Sequence, residues 1–269
     1  MIELMGNMRK NGESMEAYTG FAEVYDQFMD NIDYDGWCSY LMELLKEYGV
    51  VPQGNSYENR IVLDLGCGTG NVTGRLAKAG FDMIGLDISQ EMLSVAMKKN
   101  PGDILYLMQD MRGFELYGTV AAVISLCDSM NYLMETQDLV DVFRLVNNYL
   151  DPGGVFIFDL KTEYYYKGIG ECVIAEDREE CSFIWDNYYD EAEKVNEYQL
   201  SLFVRGEDDR YDKYVEEHFQ RAYSLDEIKN ALTEAGMEFV QAYGAFTKDE
   251  PDLEDERLYI IAREKGKKR

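Results

Sequence analysis

The chain is short of groups that titrate or bind metal near neutrality, with one histidine, His218, and five cysteines in 269 residues. The cysteines (Cys38, Cys67, Cys127, Cys172 and Cys181) are odd in number and form no CxxC pair. This argues against a disulfide framework and a structural zinc site, so no metal is expected and a reducing cytoplasm is the expected compartment. No apolar run reaches the roughly 18 residues of a membrane-spanning helix, so no membrane partner is expected. The opening Met1-Ile2-Glu3-Leu4-Met5 lacks a basic segment followed by an apolar one, and no signal peptide is expected. Basic residues are also scarce: 26 Lys and Arg face 52 Asp and Glu, a net charge of −26. Such a chain repels phosphate backbones at long range, which excludes nucleic acid as an expected partner. The basic tail at 265–269 is too short to reverse this. The acidity fits attraction of a cationic substrate such as an amine and, more simply, ordinary solubility.

Hydrophobic residues make up 46% and aromatics 13%, enough for a packed core. No internal repeat or long linker interrupts the chain. Residues 13–49 read as helical, because Phe21, Val24, Tyr25 and Phe28, then Leu41, Leu44, Leu45 and Tyr48, recur at three- and four-residue spacing. Strands are expected at 60–65, 81–87, 104–107, 120–126 and 155–159, with helices between them. Five strands alternating with helices predict an α/β fold with a doubly wound parallel sheet. After Leu160 the alternation stops. Three strands, at 182–189, 197–205 and 211–223, predict an inserted antiparallel sheet joined by hairpins. Ser224-Leu225-Asp226-Glu227 is a capping-box signature, and two further strands at 237–246 and 257–262 complete a seven-stranded core. The expected division is a helical lid at 1–57, a core at 58–168 continued at 224–264, an insertion at 169–223 and the tail at 265–269.

The most informative stretch is Val62-Leu63-Asp64-Leu65-Gly66-Cys67-Gly68-Thr69-Gly70-Asn71, followed by the start of a helix. Glycines adopt positive φ freely and let backbone approach a ligand, and the helix N-terminus beyond offers free N–H groups. A nucleotide-like cofactor is therefore expected. The dinucleotide fingerprint puts its third glycine three positions after the second. Here that slot holds Asn71, while Gly70 comes one residue early. Asp87 ends the next strand, 23 residues after Asp64, where a carboxylate can accept both ribose hydroxyls; it is also a plausible turn or cap residue. The acid alone suits either an adenosylated sulfonium or NAD.

The glycine string with Asp64 ahead of it resembles motif I of the class I S-adenosylmethionine (SAM)-dependent methyltransferases. "EVYDQFM", "LDLGCGTGNVT", "GLDISQEML", "CDSMNYL" and "PGGVFIFDL" together resemble one group of that family, across roughly residues 15–264. That group is similar to deoxyamino-sugar N-methyltransferases and, more distantly, to glycine/sarcosine N-methyltransferases. The resemblance implies a Rossmann-like class I methyltransferase fold and SAM as cofactor. Asp64, Gly66, Cys67, Gly68 and Gly70 would pass under its methionine part. Asp87 would hold the ribose and Asp110 the adenine amino group, with Ile88 and Met111 flanking the ring. A carbonyl near Leu126 would meet the ammonium. Tyr18 and Tyr25 would belong to the lid, able to face a cation or simply to pack.

The acceptor side is less explicit. Ser125 to Leu133 lies beyond a strand's carboxyl end, where ligands of open sheets bind. Asp128 and Asn131 are candidates for contacting the acceptor, and Asp128 also fits a helix cap. His218 is a candidate general base, or an exposed side chain, and alternation places it opposite the apolar Phe219. Arg221 fits a carboxylate or a local acid. The expected reaction is methyl transfer to a small molecule, at nitrogen in preference to oxygen, by a monomer or a homodimer. An NAD-dependent oxidoreductase and a non-catalytic SAM-binding regulator or assembly partner are the alternatives.

Overall fold

The computed structural model describes residues 17–52, 61–206 and 210–267. The chain opens with α1 (Ala17–Phe28) and α2 (Tyr34–Glu47). Then β1 (Ile61–Leu65), α3 (Asn71–Lys78), β2 (Asp82–Asp87), α4 (Gln90–Lys99), β3 (Leu105–Met108) and β4 (Val120–Ser125) alternate. A 3-10 helix (Ser129–Tyr132), α5 (Thr136–Tyr149) and β5 (Leu150–Lys161) follow. Next come α6 (Glu163–Ile169) and the strands β6 (Cys172–Asp177), β7 (Cys181–Asp190), β8 (Val195–Arg205) and β9 (Tyr211–Arg221). The chain returns through α7 (Leu225–Glu234), β10 (Glu238–Gly244) and β11 (Arg257–Arg263).

The larger sheet has seven strands in the order β10-β11-β5-β4-β1-β2-β3, all parallel except β11, which runs against both neighbours. The smaller has four antiparallel strands, β6-β7-β8-β9. The expected α/β core and separate antiparallel sheet are both present. The local chemistry follows the sequence. Ser89 accepts the Met92 N–H at 3.2 Å to start α4, and Ser224 and Glu227 form the capping box of α7. Residues of β4 are buried on both faces, as their continuous apolar run requires.

Two helical layers cover the core. Phe143 of α5 packs on Phe156 and Phe158 of β5, whose own rings stack 4.5 Å apart. On the other face Leu41, Leu44 and Leu45 of α2 are fully buried with Val62, Ile124 and Ile157. Each such leucine contributes about 1.5–3 kcal/mol.

Two expectations need correction, the start of β5 and the strand count of the inserted sheet. Asp151–Gly154 lies inside β5: Val120 pairs with Leu150 and Ala122 with Val155, so the extra residues bulge within the strand. The inserted sheet has four strands, because β6 pairs along β7 from Cys172–Asn187 to Asp177–Ser182. The tyrosine-rich stretch before it forms α6, started by the Thr162 hydroxyl, which accepts the Tyr165 N–H at 3.2 Å.

Candidate functional site

Gly66, Gly68 and Gly70 have φ of +80°, +53° and +71°, conformations that disfavour any side chain. A Cβ on Gly66 would also lie 2.7 Å from the Ser129 hydroxyl, so the loop passes tightly between β1 and the 3-10 helix. Most of its amides are satisfied internally. Gly66 and Cys67 donate to the Leu86 carbonyl, Gly70 donates to that of Cys67, and Gly68 donates to Asp87 Oδ2 at 2.8 Å. The Cys67 side chain is buried, and burial pushes its thiol far above the usual range.

Asp64 corrects an expectation. It is buried and accepts the Thr73 hydroxyl at 2.5 Å, with the Thr73 main chain as a second donor. Its carboxylate therefore caps α3 from beneath, with both of these donors on Thr73. Burial outweighs those hydrogen bonds and raises its pKa to about 7.

Asp87 is placed as expected at the end of β2. Its two oxygens accept the Gly68 and Ser89 amides, which fixes the carboxylate, and burial raises its pKa in spite of them. Ile88 exposes 67% of its surface beside it. Asp110 is engaged side-on by Arg112, whose hydrogen bonds hold the carboxyl below its usual range, and Met111 reaches to 3.4 Å from the Cβ position of Gly66. The Leu126 carbonyl accepts the Ser129 hydroxyl at 2.9 Å.

The lid meets the loop through Asp26. One oxygen accepts from Thr69 at 2.6 Å and Asn71 at 2.8 Å, and the other pairs with Lys99 at 2.5 Å. Arg178, in the turn between β6 and β7, holds the same end of α1 through the Gln27 carbonyl and Asp30 just beyond it. The C-terminal end of the helix is thus tied both to the glycine loop and to the inserted sheet. Tyr18 lies within α1, but its side chain falls outside the described residues.

Beyond β4 the floor is an ion network. Cys127 and Asp128 both adopt positive φ, +60° and +57°, and their amides donate to Asp159 on β5. Arg257 bridges Asp128 at 3.0 Å and Asp159, Lys161 lies 3.3 Å from Asp128, and Gln220 donates to Asp128 at 2.7 Å. Burial alone would raise the Asp128 carboxyl, but Lys161 and Arg257 reverse this and hold it low, while burial keeps Asp159 high. Asp128 is thus neither a cap nor a free base, and two cations balance two carboxylates. A cleft of about 350 Å³ opens on the far side of Lys161 and Arg257, lined also by Tyr165, Phe246, Glu254 and Glu256.

Asn131 corrects another expectation. It is fully buried; its amide donates to the Lys161 and Arg221 carbonyls and its oxygen accepts the Lys161 N–H. It joins the 3-10 helix to β5 and β9 and offers the acceptor nothing. Arg221 takes the local option, pairing with Glu227 at 3.2 Å.

Above this floor several tyrosines gather. Tyr132 exposes 42% of its surface, and desolvation and the nearby Asp128 carboxylate push its hydroxyl pKa up. Tyr25 of α1 is raised likewise, by burial first and then by Cys127, Asp128 and Tyr198 within electrostatic reach. The Tyr132 and Tyr198 hydroxyls are 2.8 Å apart. His218 stacks on Tyr198 at 4.6 Å, with Nδ1 3.2 Å from the Tyr132 hydroxyl and Nε2 3.0 Å from Glu216. Alternation was read correctly, but the faces are reversed: His218 looks towards the core, and Phe219 is 41% exposed on the outer face.

Comparison with known proteins decides the family. A methyltransferase-domain family model matches residues 62–154. A putative methyltransferase of Geobacillus sp. (strain WCH70) is 34% identical over 251 residues, covering 92% of this chain and 99% of the relative. The chain belongs to the SAM-dependent methyltransferases. A SAM-dependent methyltransferase from Clostridium acetobutylicum ATCC 824 has the same fold, with a TM-score of 0.80, 28% identity, and coverage of 93% of this chain and 99% of that one. A dTDP-3-amino-3,4,6-trideoxy-alpha-D-glucopyranose N,N-dimethyltransferase of Streptomyces venezuelae is 33% identical over 140 residues, 51% of this chain and 56% of the relative. The oxidoreductase and non-catalytic alternatives fall with this membership.

The methyltransferase's groove fits SAM on its own chemistry: the glycine passage admits backbone-close approach, and a fixed carboxylate waits at the end of β2. Several working residues escaped the sequence. Asp159, Lys161 and Arg257 come together across a hundred residues, and Tyr132, Tyr198 and Glu216 meet only when the inserted sheet folds over the 3-10 helix. Asp26 did leave a signal, inside the "EVYDQFM" string.

Proposed function

We propose that this methyltransferase methylates the nitrogen of a small amine, accepted in its neutral form. The observation that carries this is the accessible Tyr132 ring with its hydroxyl beside that of Tyr198, above an ion network with no net charge; together they would line a hollow for the acceptor. A balanced floor gives an ammonium no strong counter-ion. Tyrosine oxygens can instead accept the N–H groups of a neutral amine and leave its lone pair free to attack. The π face of Tyr25 suits the cationic product. In its groove SAM supplies a methyl already activated on sulfonium, with the C–S electron pair returning to sulfur.

The chain's own task is chiefly alignment, which can contribute about 7–11 kcal/mol. Asp87 would accept the ribose hydroxyls with the lone pairs its two amides leave. Asp110 with Met111 and Ile88 would take the adenine, Gly66 to Gly70 would line the methionine part, and the Leu126 region would meet its ammonium. Asp26 would tie α1 down over that groove. The relative from Streptomyces is an N,N-dimethyltransferase, which supports nitrogen as the acceptor atom. Its dTDP-linked acceptor is not carried over, because a chain of net charge −26 repels a diphosphate. The free cysteines agree with a reducing cytoplasm as the compartment.

The test is a panel of glucosamine, glycine and putrescine against their hydroxyl counterparts, with methyl-labelled SAM and mass spectrometry. Amines should gain the label and the hydroxyl compounds should not. Label on hydroxyl compounds alone would overturn the reading.

A further inference from the structure

Resting on the neutral-amine reading, we propose that Tyr132, His218 and Glu216 form a proton exit that empties the acceptor hollow after each transfer. When the N–C bond forms, the acceptor nitrogen becomes an ammonium and has no lone pair. It must lose a proton before it can leave neutral or take a second methyl. Asp128 is a poor recipient, since Lys161, Arg257 and Gln220 already occupy it. The tyrosine hydroxyls are the groups that face the hollow.

The geometry sets the direction of the exit. Glu216 only accepts, so the neutral His218 ring carries its proton on Nε2 and leaves Nδ1 as a base towards Tyr132. Tyr132 can donate to Nδ1 and accept from Tyr198, with one lone pair left for an N–H in the hollow. One proton moves from the acceptor nitrogen to the Tyr132 oxygen as the Tyr132 proton moves to Nδ1. The imidazolium then releases its Nε2 proton to Glu216 and so to water; once the product has left, water returns a proton to Nε2 and the Nδ1 proton passes back through Tyr132 to solvent in the emptied hollow, which restores the starting tautomer. His218 and Glu216 are each about one-fifth exposed, so this end reaches solvent. Burial and the Asp128 carboxylate disfavour a tyrosinate at Tyr132, so the two transfers are concerted. The groups facing His218 are Glu216 on its own strand, Tyr198 on β8 and Tyr132 on the 3-10 helix; Tyr25 and Asp128 act on those two tyrosines. His218 is thus a relay that works through Tyr132 and does not touch the acceptor.

His218 is the sole histidine, so its ring nitrogens can be read without ambiguity in the full-length ¹⁵N-labelled protein with S-adenosylhomocysteine. The neutral ring should show protonated Nε2 and bare Nδ1, with a mixed tautomer in Glu216→Gln. A proton on Nδ1 in the neutral wild-type ring would overturn the exit. With a methylated amine from the panel, His218→Asn should lower steady-state turnover about 100-fold. Single-turnover transfer and S-adenosylhomocysteine affinity should hold, and added imidazole should restore turnover. Tyr132→Phe should lower steady-state turnover without the rescue and, because it also removes a hydroxyl that holds the amine, should raise the acceptor KM as well. Equal losses in single and multiple turnover, with no rescue, would sink the relay while leaving amine methylation standing. Failure of every amine in the panel would sink the parent reading, and the tautomer measurement would still report on the exit.

Discussion

The glycine loop, proposed to hold SAM, and the tyrosine cluster, proposed to hold the acceptor, are built by different means. The groove is made largely of main chain: three glycines at positive φ, amides locked on Leu86 and Asp87, and a helix start capped by Asp64. The hollow is made of side chains from α1, the 3-10 helix, β8 and β9, with a floor from β5 and β11. Main-chain recognition needs particular residues at fixed short spacing. Side-chain recognition needs only that distant segments meet. A protein built this way can hold one cofactor geometry constant while its acceptor changes with the inserted sheet.

The contrast can be strained first at the floor. Arg257→Met should remove about 3–5 kcal/mol of stability, because it leaves Asp128 and Asp159 buried without their shared cation. Denaturant unfolding checks this, and a loss below 1 kcal/mol would mean the network is more open than its burial indicates. The second break concerns the groove and is a matter of pH. The folded protein holds the Asp64 proton up to about 7, whereas a free carboxyl releases it near 3.8. Stability from this group is therefore fullest below about pH 4, falls as pH rises, and is level again above about 7. That swing is on the order of 4 kcal/mol. Asp64→Asn should flatten it, read as the difference between mutant and wild-type stability curves; parallel curves would deny Asp64 a raised pKa.

Smaller is the effect expected of Asp87→Ala on affinity. Losing charge-assisted hydrogen bonds costs about 1.5–3 kcal/mol, so S-adenosylhomocysteine should bind roughly 10- to 150-fold more weakly by calorimetry. Unchanged affinity would take Asp87 off the ribose. Arg178→Gln, the mildest change, loosens α1 from the inserted sheet, where the Phe28–Phe183 contact remains, and leaves Asp26 on the loop. The exposed pair contributes about 1 kcal/mol at most. The acceptor KM should rise a few-fold with cofactor affinity unchanged; the opposite pattern would mean that α1 serves the groove more than the hollow.

The same contrast governs what could be read in advance. The α/β core, the glycine turn, the caps at Ser89 and Ser224 and the place of Asp87 follow from local patterns, and the structure keeps them. β6 was missed because its alternation is blurred: neither face of so short an edge strand is fully covered. Asp128 and Asn131 were cast as contacts for the acceptor, but their polar atoms are taken by Arg257, Gln220 and Arg221, which come from far along the chain. For His218 the two faces of β9 are distinguishable only once it is known that α1 and the 3-10 helix cover one of them.

The reversed direction of β11 has a consequence for synthesis. Because this strand runs against β5, its first residue, Arg257, arrives at the edge where β4 and β5 end. A growing chain therefore carries Asp128 and Asp159 for about a hundred residues before their guanidinium emerges from the ribosome. Until then two adjacent anions oppose closure of the floor. The nascent protein can assemble its glycine groove early, but it becomes a competent enzyme only when nearly the last strand has joined the sheet.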